Sequence, residues 1–374
     1  MSSVQKVLIV GGGIAGITLG LRLKKQAIEA EIVEISSEWT IPGLGIALLG
    51  PTLRALKSVG LIDSCVQVGF GYSAIKNFNT AGALTGVVEL PLLCGAGYPA
   101  SVGILRSTLH KILLQAAEAA HLPIRLGCTV NAIKQSSEFA EVEFNTGATA
   151  RFDLVVGADG AHSKTRALLL GPGVLPEVTG QTVWRATVER PKEVDSLWQF
   201  FGPRHKAGFN PISKTQMYVF LVQNALAKKA PPDTLPKLMR DELVDFGGLM
   251  AVAREKIVDA DQIVCRPVEA LIVRPPWHQN RVVLIGDAAH TTPPHLASGA
   301  GIAIEDSIVL SELIDSDMPL SDALTQFTAR RYERCRMVVE NSVQLGEWEK
   351  DPKTPSADFA GLMNASMRAL AQQI

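Results

Sequence analysis

Glycines near the start of the chain are spaced to bind a phosphate group. Gly11, Gly13 and Gly16 form a GxGxxG pattern between the β-branched run Lys6–Val10 and a segment with helical potential. Because these positions carry no side chains, backbone amides and a helix N-terminus can approach a pyrophosphate. Glu34 ends the next strand-like run, where a carboxylate can accept hydrogen bonds from both hydroxyls of a ribose. The predicted dinucleotide-binding residues are Gly11, Gly13, Ile14, Ala15, Gly16 and Glu34.

A second candidate site follows an apolar run in the middle of the chain. Asp153 is followed by the apolar residues 154–157. Asp159 and Gly160 come next, in a turn of small residues. In a parallel sheet, ligands bind at the ends of strands that open into such turns. Taken alone, however, the segment could be no more than the end of a strand.

A third candidate site lies near the C-terminal end. Residues 281–285 form another buried strand pattern, which delivers Asp287 to a loop. After Pro294, Gly299 and Ala300 open a helical segment. The first amides of a helix can stabilise an anionic group, so this segment is a candidate ligand site.

These three motifs, in this order, resemble the fingerprints of the class A flavoprotein monooxygenases, the para-hydroxybenzoate hydroxylase-like family. The resemblance covers nearly the whole chain and implies noncovalently bound FAD. It places Asp159 and Gly160 near the flavin pyrophosphate and the incoming nicotinamide cofactor. It places Asp287 on the ribityl chain, and it directs the helix start at Gly299 and Ala300 towards the pyrimidine ring of the flavin.

Two further cofactor residues are implied by the same resemblance. Arg106 matches a recurrent arginine whose guanidinium supports the flavin phosphate or ribityl region. Gly45 resembles part of the loop that passes over the flavin ring. The sequence departs from the family at Ala297 and Ser298, because the usual Gly-Gln-Gly before the last helix is Ala-Ser-Gly here.

The substrate side resembles the salicylate and 6-hydroxynicotinate hydroxylase branch of the family. Pro294 and His295 match a loop of the hydroxynicotinate enzymes, and residues 201–205 resemble the strand that backs the substrate pocket. Ala47 stands where the hydroxynicotinate group has a histidine, so the same substrate is not implied. The resemblance predicts a substrate pocket formed by His205, Pro294 and His295.

The resemblance also implies a reaction. NADPH or NADH reduces FAD, O2 adds to the flavin C4a carbon, and the resulting hydroperoxide hydroxylates an electron-rich ring. Such rings are activated by loss of a phenolic or enolic proton, for which histidine is the natural base. Of the seven histidines, we expect His205 or His295 to be catalytic and His110 to lie at the surface.

The elements that must position these residues indicate an α/β protein. We expect a Rossmann-like FAD-binding domain with an inserted, mostly antiparallel β-sheet substrate domain and C-terminal helices. A helix over residues 107–120 is expected to have Ser107 as its N-cap, and the arginines at 330, 331, 334 and 336 are expected to form one solvated helix face. The predicted boundaries are 1–72, 101–173 and 276–374 for the FAD-binding domain, and 73–100 and 174–275 for the substrate domain.

Composition excludes several other classes of protein. The 374 residues are 47% hydrophobic and 20% charged, as in a globular protein with a large core. A net charge of −1 provides no global attraction for nucleic acid or an anionic membrane. The five cysteines form no CxxC pair, which argues against a metal site and a disulfide framework and favours a reducing cytoplasm. No segment supplies the roughly 20 apolar residues of a membrane span.

The expected protein is therefore a cytoplasmic monomer or homodimer that acts on a small aromatic molecule. Two alternatives stay open at this stage. One is an FAD-dependent dehydrogenase or reductase that inserts no oxygen, and the other is a non-catalytic flavin-binding regulatory protein. The intact carboxylates Glu34, Asp159 and Asp287 argue against the second.

Overall fold

The computed structural model describes residues 4–39, 45–227, 229–351 and 353–374. Its strands, in chain order, are β1 (Lys6–Val10), β2 (Glu29–Glu34), β3 (Gly45–Leu49), β4 (Phe70–Tyr72), β5 (Ala74–Phe78), β6 (Leu84–Glu89), β7 (Ser101–Leu105), β8 (Ile124–Leu126), β9 (Val130–Gln135), β10 (Ala140–Phe144), β11 (Thr149–Phe152), β12 (Leu154–Gly157), β13 (Glu177–Glu189), β14 (Leu197–Phe201), β15 (His205–Pro211), β16 (Gln216–Gln223), β17 (Ile263–Ala270), β18 (His278–Gln279) and β19 (Val282–Leu284).

The helices alternate with these strands in the first half of the chain and dominate its end. They are α1 (Ile14–Lys25), α2 (Gly50–Ser58), α3 (Ile62–Val68), α4 (Arg106–Ala119), α5 (Lys164–Leu170), α6 (Leu235–Glu242), α7 (Leu249–Glu255), α8 (Gly299–Ile314), α9 (Leu320–Lys350) and α10 (Phe359–Ala371). Short 3₁₀ turns occur at Pro232–Thr234, Ala260–Gln262, Gly286–Ala288 and Pro294–Leu296.

A six-stranded sheet in the order β18-β19-β12-β1-β2-β8 carries the nucleotide-binding motifs. Its central strands are parallel, since β1 pairs in parallel with both β12 and β2. The strands β1 and β12 are apolar almost throughout because helices cover one face of the sheet and the small β9–β11 sheet covers the other. The predicted β1-α1-β2 unit forms the centre of this layer.

A seven-stranded sheet in the order β17-β13-β16-β15-β14-β5-β6 forms the second layer. Its strand pairs are antiparallel apart from the parallel pair β14 and β5. Alternate residues of β13 to β16, such as Trp184, Phe209 and Leu221, pack against α6 and α7 in an apolar cluster. The residues between them face the nucleotide-binding layer. The predicted fold class is confirmed.

The small sheet β3-β7-β4 leads the chain directly into α4. The expectation that Ser107 caps this helix is wrong. The helix begins at Arg106, and Leu105 occupies the N-cap position in extended geometry without a side-chain cap. Because β7 turns into α4 with no intervening loop, the first helical position falls two residues earlier than a Ser107 cap would set it.

The C-terminal helices bury arginines that were expected to be solvated. Arg331 is 0% exposed and pairs with Asp306 at 2.8 Å and with Glu305 at 2.9 Å. Arg334 binds Glu305 and also donates to the final carbonyls of α10. The reason is that α9 crosses the buried helix α8, whose two adjacent carboxylates require cations. The solvated face is limited to Arg330 and Arg336.

Length alone does not make α9 a membrane helix, since charged side chains recur along it. Among the helices that the structure describes, none is long and apolar enough to cross a membrane.

Candidate active site

A cavity of about 670 Å³ lies between the two large sheets. At one end it is lined by the turn between β1 and α1, and at the other by the inner face of the seven-stranded sheet. The loop 291–300 and helix α10 complete its walls. Residues from all three sequence motifs therefore border one space.

The glycines of the first motif have two different roles. Gly11 has a φ of +110°, and a Cβ there would collide with the carbonyl oxygen of Ala158. A Cβ on Gly16 would likewise overlap the carbonyl oxygen of Gly11. These two glycines shape the turn, whereas Gly13 borders the cavity and a Cβ on it would meet no atom within 4 Å.

The start of α1 is open to the same space. Ile14 and Ala15 line the cavity, and the N-cap residue Gly13 provides no side chain to occupy the first amides of the helix. Helix N-termini leave backbone N–H groups without partners and carry a partial positive charge. The turn can therefore bind an anionic group such as a pyrophosphate.

Glu34 stands at the end of β2 beside this turn. Its carboxylate accepts hydrogen bonds from the amides of Gly12 and Ser36, each at 2.9 Å, and it lines the cavity. The expectation that His110 lies at the surface is wrong, because its ring is buried and its Nε2 lies 2.8 Å from the carbonyl oxygen of Gly12. Packing of α4 against α1 places this histidine under the turn, where it contacts Trp39.

The second motif contributes backbone rather than a free carboxylate. Asp159 accepts hydrogen bonds from the hydroxyl of Ser163 and from the amide and hydroxyl of Thr165. Gly160, with a φ of +81°, borders the cavity. In this arrangement Asp159 fixes the shape of its loop, and Gly160 presents that loop to the cavity.

A buried arginine joins the second motif to the third. Arg166 is 0% exposed and donates to the carbonyl oxygens of Ala161 and Ala288 at 2.8 and 3.0 Å. The two loops are therefore fixed relative to each other by one guanidinium. Asp287, which borders the cavity, lies next to Ala288.

The third motif rests on a buried charge cluster. One oxygen of Asp306 accepts a hydrogen bond from the Gly286 amide at 2.9 Å and lies 2.6 Å from His290 Nε2, and the other oxygen pairs with Arg331. Burial alone would raise the pKa of Asp306, but His290 and Arg331 outweigh it and hold that pKa below its usual value. The cluster fixes the loop that carries Asp287.

Helix α8 begins where this loop meets the cavity. Gly299 and Ala300 line the cavity, and Ser298 at the N-cap makes no side-chain bond to the helix amides. Ala297 adopts a left-handed φ of 47°, which is a conformation that favours glycine. The backbone here thus adopts a turn of the kind that favours glycine, although the residue is alanine.

The residues present fit FAD. Two uncapped helix N-termini, of α1 and α8, border the same cavity, and the open position Gly13 leaves room for a close backbone approach. Glu34 can bind the ribose hydroxyls at one end, and Asp287 can bind the ribityl hydroxyls further along. Arg106, the first residue of α4, also lines the cavity.

Gly45 does not line the cavity but lies against Tyr218, a residue that does. A Cβ at Gly45 would overlap the ring of Tyr218, which lies on β16. The glycine therefore permits the seven-stranded sheet to approach the cofactor-binding layer. Tyr218 itself lines the cavity, and its hydroxyl accepts a hydrogen bond from Asn210 at 3.0 Å.

Arg185 is the most unusual side chain on the sheet face. It projects from β13 into the cavity near Arg106 and the ring of Tyr218. Its Nε is buried without a hydrogen-bond partner, and Arg185 forms no ion pair within the described ranges. Burial, together with the charge of Arg106, lowers the pKa of Arg185 although Tyr218 opposes this. A half-buried cation that faces a cavity without a counterion favours an anionic ligand.

The two predicted catalytic histidines lie in different places. His205 does not line the cavity. Its Nε2 lies 2.8 Å from a carboxylate oxygen of Glu242 on α6. The next residue, Lys206, lines the cavity. Side chains alternate between the two faces of a strand, so a shift of one residue exchanges histidine for lysine.

His295 borders the cavity together with Pro294, but its ring is packed against α9. His295 Nε2 lies 3.2 Å from Glu349, which also pairs with Lys206. Burial would raise the pKa of Glu349, but Lys206 and His295 lower it to about 2. Burial also lowers the pKa of His295, against the effect of Glu349. An ionised carboxylate only accepts, so Nε2 carries the proton of a neutral ring.

The sequence interpretation did not identify several residues that line the cavity. These are Trp39, Arg185, Lys206, Tyr218, Met363 and Met367. The signal for Tyr218 was present, since it is the one polar side chain within the apolar run 217–222 of β16. Arg185 gave no such signal, because β13 contains several other polar residues. The signal for the methionines was their spacing of four residues on one helix face.

The fold and site define a flavoprotein with an inserted substrate-binding sheet. Residues 5–342 match the protein family described as FAD binding domain. The chain belongs to this family and, within it, to the FAD-dependent monooxygenases of the aromatic hydroxylase type. The predicted family is confirmed, and the chain is an FAD-binding oxidoreductase.

Individual relatives cover almost the whole chain. The 2-heptyl-3-hydroxy-4(1H)-quinolone synthase of Pseudomonas aeruginosa is 31% identical over 355 residues, which are 92% of this chain and 90% of that protein. The aurachin C monooxygenase/isomerase of Stigmatella aurantiaca is 29% identical over 361 residues, covering 93% and 91%. Klebsiella pneumoniae HpxO, solved with FAD and uric acid, has the same fold, with a TM-score of 0.84 at 21% identity and coverage of 99% and 93%.

Proposed function

We propose that this protein uses NADPH or NADH and O2 to hydroxylate a small hydroxylated aromatic or N-heteroaromatic ring. One oxygen atom of O2 replaces a ring hydrogen as a hydroxyl group, and the other leaves as water. The reduced nicotinamide supplies the two electrons. The observation that carries this proposal is the presence of the FAD-binding residues and the unpaired cation Arg185 around one cavity.

The names of the relatives support a ring substrate. They refer to a hydroxylated quinolone and to aurachin C, and HpxO was solved with uric acid. Quinolones and uric acid are rings that can carry a negative charge on an oxygen. Such an anion would neutralise Arg185.

When bound, FAD supplies the two-electron exchange with the nicotinamide and the activation of oxygen. The chain's own residues bind and orient the reactants. Glu34 would hold the ribose of the cofactor and Asp287 its ribityl chain, and the loop of Asp159 and Gly160 would support the pyrophosphate and the approach of the nicotinamide. The amides at Gly299 and Ala300 favour negative charge on the flavin ring.

Arg185 and Tyr218 position the substrate oxygen and favour its anionic form, because the half-buried guanidinium has no counterion in the described chain and its Nε has no hydrogen-bond partner. His295 accepts the proton from the substrate. Its neutral ring has a protonated Nε2 bound to Glu349 and an Nδ1 that has no hydrogen-bond partner in the described chain. His205 stays a weaker candidate because its ring faces the other side of the sheet.

Consumption of NADPH and NADH in the presence of hydroxylated benzoates, pyridines and quinolones tests this function. We expect at least one compound to stimulate oxidation of the nicotinamide and to yield a product that has gained one oxygen atom from O2. Flavin reduction and substrate conversion without an added oxygen atom would instead identify a dehydrogenase or reductase. Tight FAD binding with no stimulated oxidation for any compound would favour a regulatory flavoprotein.

A further inference from the structure

We propose that Met363 and Met367 determine substrate specificity by forming a pocket for an apolar substituent on the ring. The substrate would then be amphipathic, with a ring oxygen near Arg185 and an alkyl or similar apolar group extending towards α10. This inference rests on the proposed function and specifies the class of its substrate.

The two methionines reach the cavity from one face of α10. They are four residues apart, both are half-buried, and both line the cavity. Their helix also contacts the Pro294–Leu296 turn. The methionines therefore extend the wall that begins at the predicted substrate loop.

The sheet presents apolar side chains to the same cavity. Ile75, Val183, Leu197, Phe220 and Val222 all line it, and they come from neighbouring strands. No residue in this group has a polar atom to bind a ring substituent. A surface of this kind gains free energy by excluding water from an apolar group.

The charged groups near this wall are already satisfied by each other. Lys206, which pairs with Val222 across the strands, forms an ion pair with Glu349, and Glu349 also binds His295. Arg185, in contrast, has an unpaired Nε. The cavity thus offers the Arg185 guanidinium to a polar ring, and an apolar wall that requires no polar partner.

Helix α10 is fixed in place at its C-terminal end. Arg54 donates to the carbonyl oxygens of Ala371 and Gln372 at 2.5 and 2.7 Å, and Arg334 donates to those of Ala369 and Leu370. A helix held by two arginines provides a wall of defined position. Methionine side chains are unbranched and adaptable, so this wall can accommodate substituents of different lengths.

Binding measurements on a homologous series test the proposal without requiring turnover. The dissociation constants of 4-hydroxyquinoline and its 2-methyl, 2-propyl, 2-pentyl and 2-heptyl derivatives are measured by calorimetry on FAD-loaded protein, and 4-alkylphenols provide a second ring. We expect the dissociation constant to fall by up to about fourfold for each added methylene until the pocket is filled. In the double variant M363Q/M367Q, the gain in affinity per methylene, measured as the fold-decrease in the dissociation constant, should be at least twofold smaller.

Two further variants make the result specific. Met337→Gln is the matched control, because Met337 is a partly buried methionine that packs against the core and is absent from the cavity lining. Its gain per methylene should equal that of the wild type. Met367→Trp should shorten the pocket, so that binding is best for a shorter chain than in the wild type. FAD content and the melting temperature of each variant establish that it is folded.

The proposal is overturned if chain length leaves the wild-type dissociation constant unchanged in both series, or if no member of either series binds. It is also overturned if folded M363Q/M367Q retains the full gain per methylene. These outcomes differ from failure of the proposed function. Hydroxylation of unsubstituted rings without a chain-length effect would disprove only the pocket, whereas a chain-length effect without oxygen insertion would disprove only the hydroxylase activity.

Discussion

The two sides of the cavity bind their ligands by different means. The cofactor side uses backbone: glycine turns and uncapped helix starts border the cavity, with Glu34 and Asp287 at separate points. The sheet side uses side chains, and Arg185, Lys206 and Tyr218 come from three strands that are adjacent only after folding. A backbone site tolerates few sequences, whereas a side-chain site can change its ligand by single substitutions.

The two sides also differ in how they treat buried charge. Behind the cofactor side, Asp306 and Glu305 are neutralised by His290, Arg331 and Arg334, and this cluster stabilises the loop. On the sheet side, Arg185 is left without a counterion in the described structure. Buried carboxylates that are paired with cations stabilise a fold, whereas a cation that faces a cavity without a counterion indicates where an anionic ligand binds.

The largest expected effect concerns the proton acceptor. His295→Gln should lower the rate of hydroxylation by roughly 10²- to 10⁴-fold at neutral pH, which is the usual scale of general-base catalysis. The rate should partly recover at high pH, where the substrate ionises without assistance. His205→Gln is the control and should keep nearly the full rate, because its ring faces α6. Equal losses in both variants would contradict the distinction between the two faces of β15.

The next effect concerns the ion pair that fixes His295. Glu349→Gln should lower the free energy of unfolding at pH 7 by about 3 kcal/mol, since it leaves Lys206 without its partner. The pKa of Glu349 is lowered to about 2 from 4.5, so its contribution is fully present above pH 4.5 and is lost as the pH falls towards 2. Denaturation curves of both proteins should therefore converge over this range. A difference that stays constant down to pH 2 would exclude this ion pair as its source.

A smaller effect is expected for the unpaired cation. Arg185→Met should weaken binding of a ring oxyanion by about 10- to 100-fold, the scale of a lost charge-assisted hydrogen bond, while FAD stays bound. Arg190 is partly exposed and directly follows β13, the strand that carries Arg185. The control variant Arg190→Met should have no effect on binding. Titration calorimetry at pH values on either side of the substrate pKa measures the preference for the anion. An equal preference in wild type and Arg185→Met would remove Arg185 from substrate binding.

The smallest effect is expected on the cofactor side. Glu34→Ala should raise the dissociation constant of FAD by about tenfold, because it removes one carboxylate from a site formed mainly by backbone. Fluorescence titration of the apoprotein with FAD measures this change. Gly13→Ala tests the backbone contribution directly, since its Cβ would enter open cavity space without disturbing the fold. If Glu34→Ala abolished binding while Gly13→Ala left it intact, the side chain would dominate this site after all.

The sequence alone predicted the motifs of the cofactor side because their signals are local, although it did not place His110 or Trp39 at the glycine turn. The GxGxxG turn, Glu34, Asp287 and the glycine that begins α8 are each set by residues that are close in the chain, and their geometry follows from the absence of a side chain or from a helix start. The fold class followed from the same motifs and from the alternation in the middle strands.

The tertiary structure decided the sheet side because its features depend on pairing over long distances. Strand register placed Lys206 rather than His205 in the cavity. Behind the cofactor side, the crossing of α9 over α8 likewise decided that Arg331 and Arg334 pair with buried carboxylates. Only the return of the chain from α9 brought Met363 and Met367 to the same cavity as Arg185. A one-residue change of register or a different helix crossing would exchange these side chains, and no local pattern in the sequence specifies either.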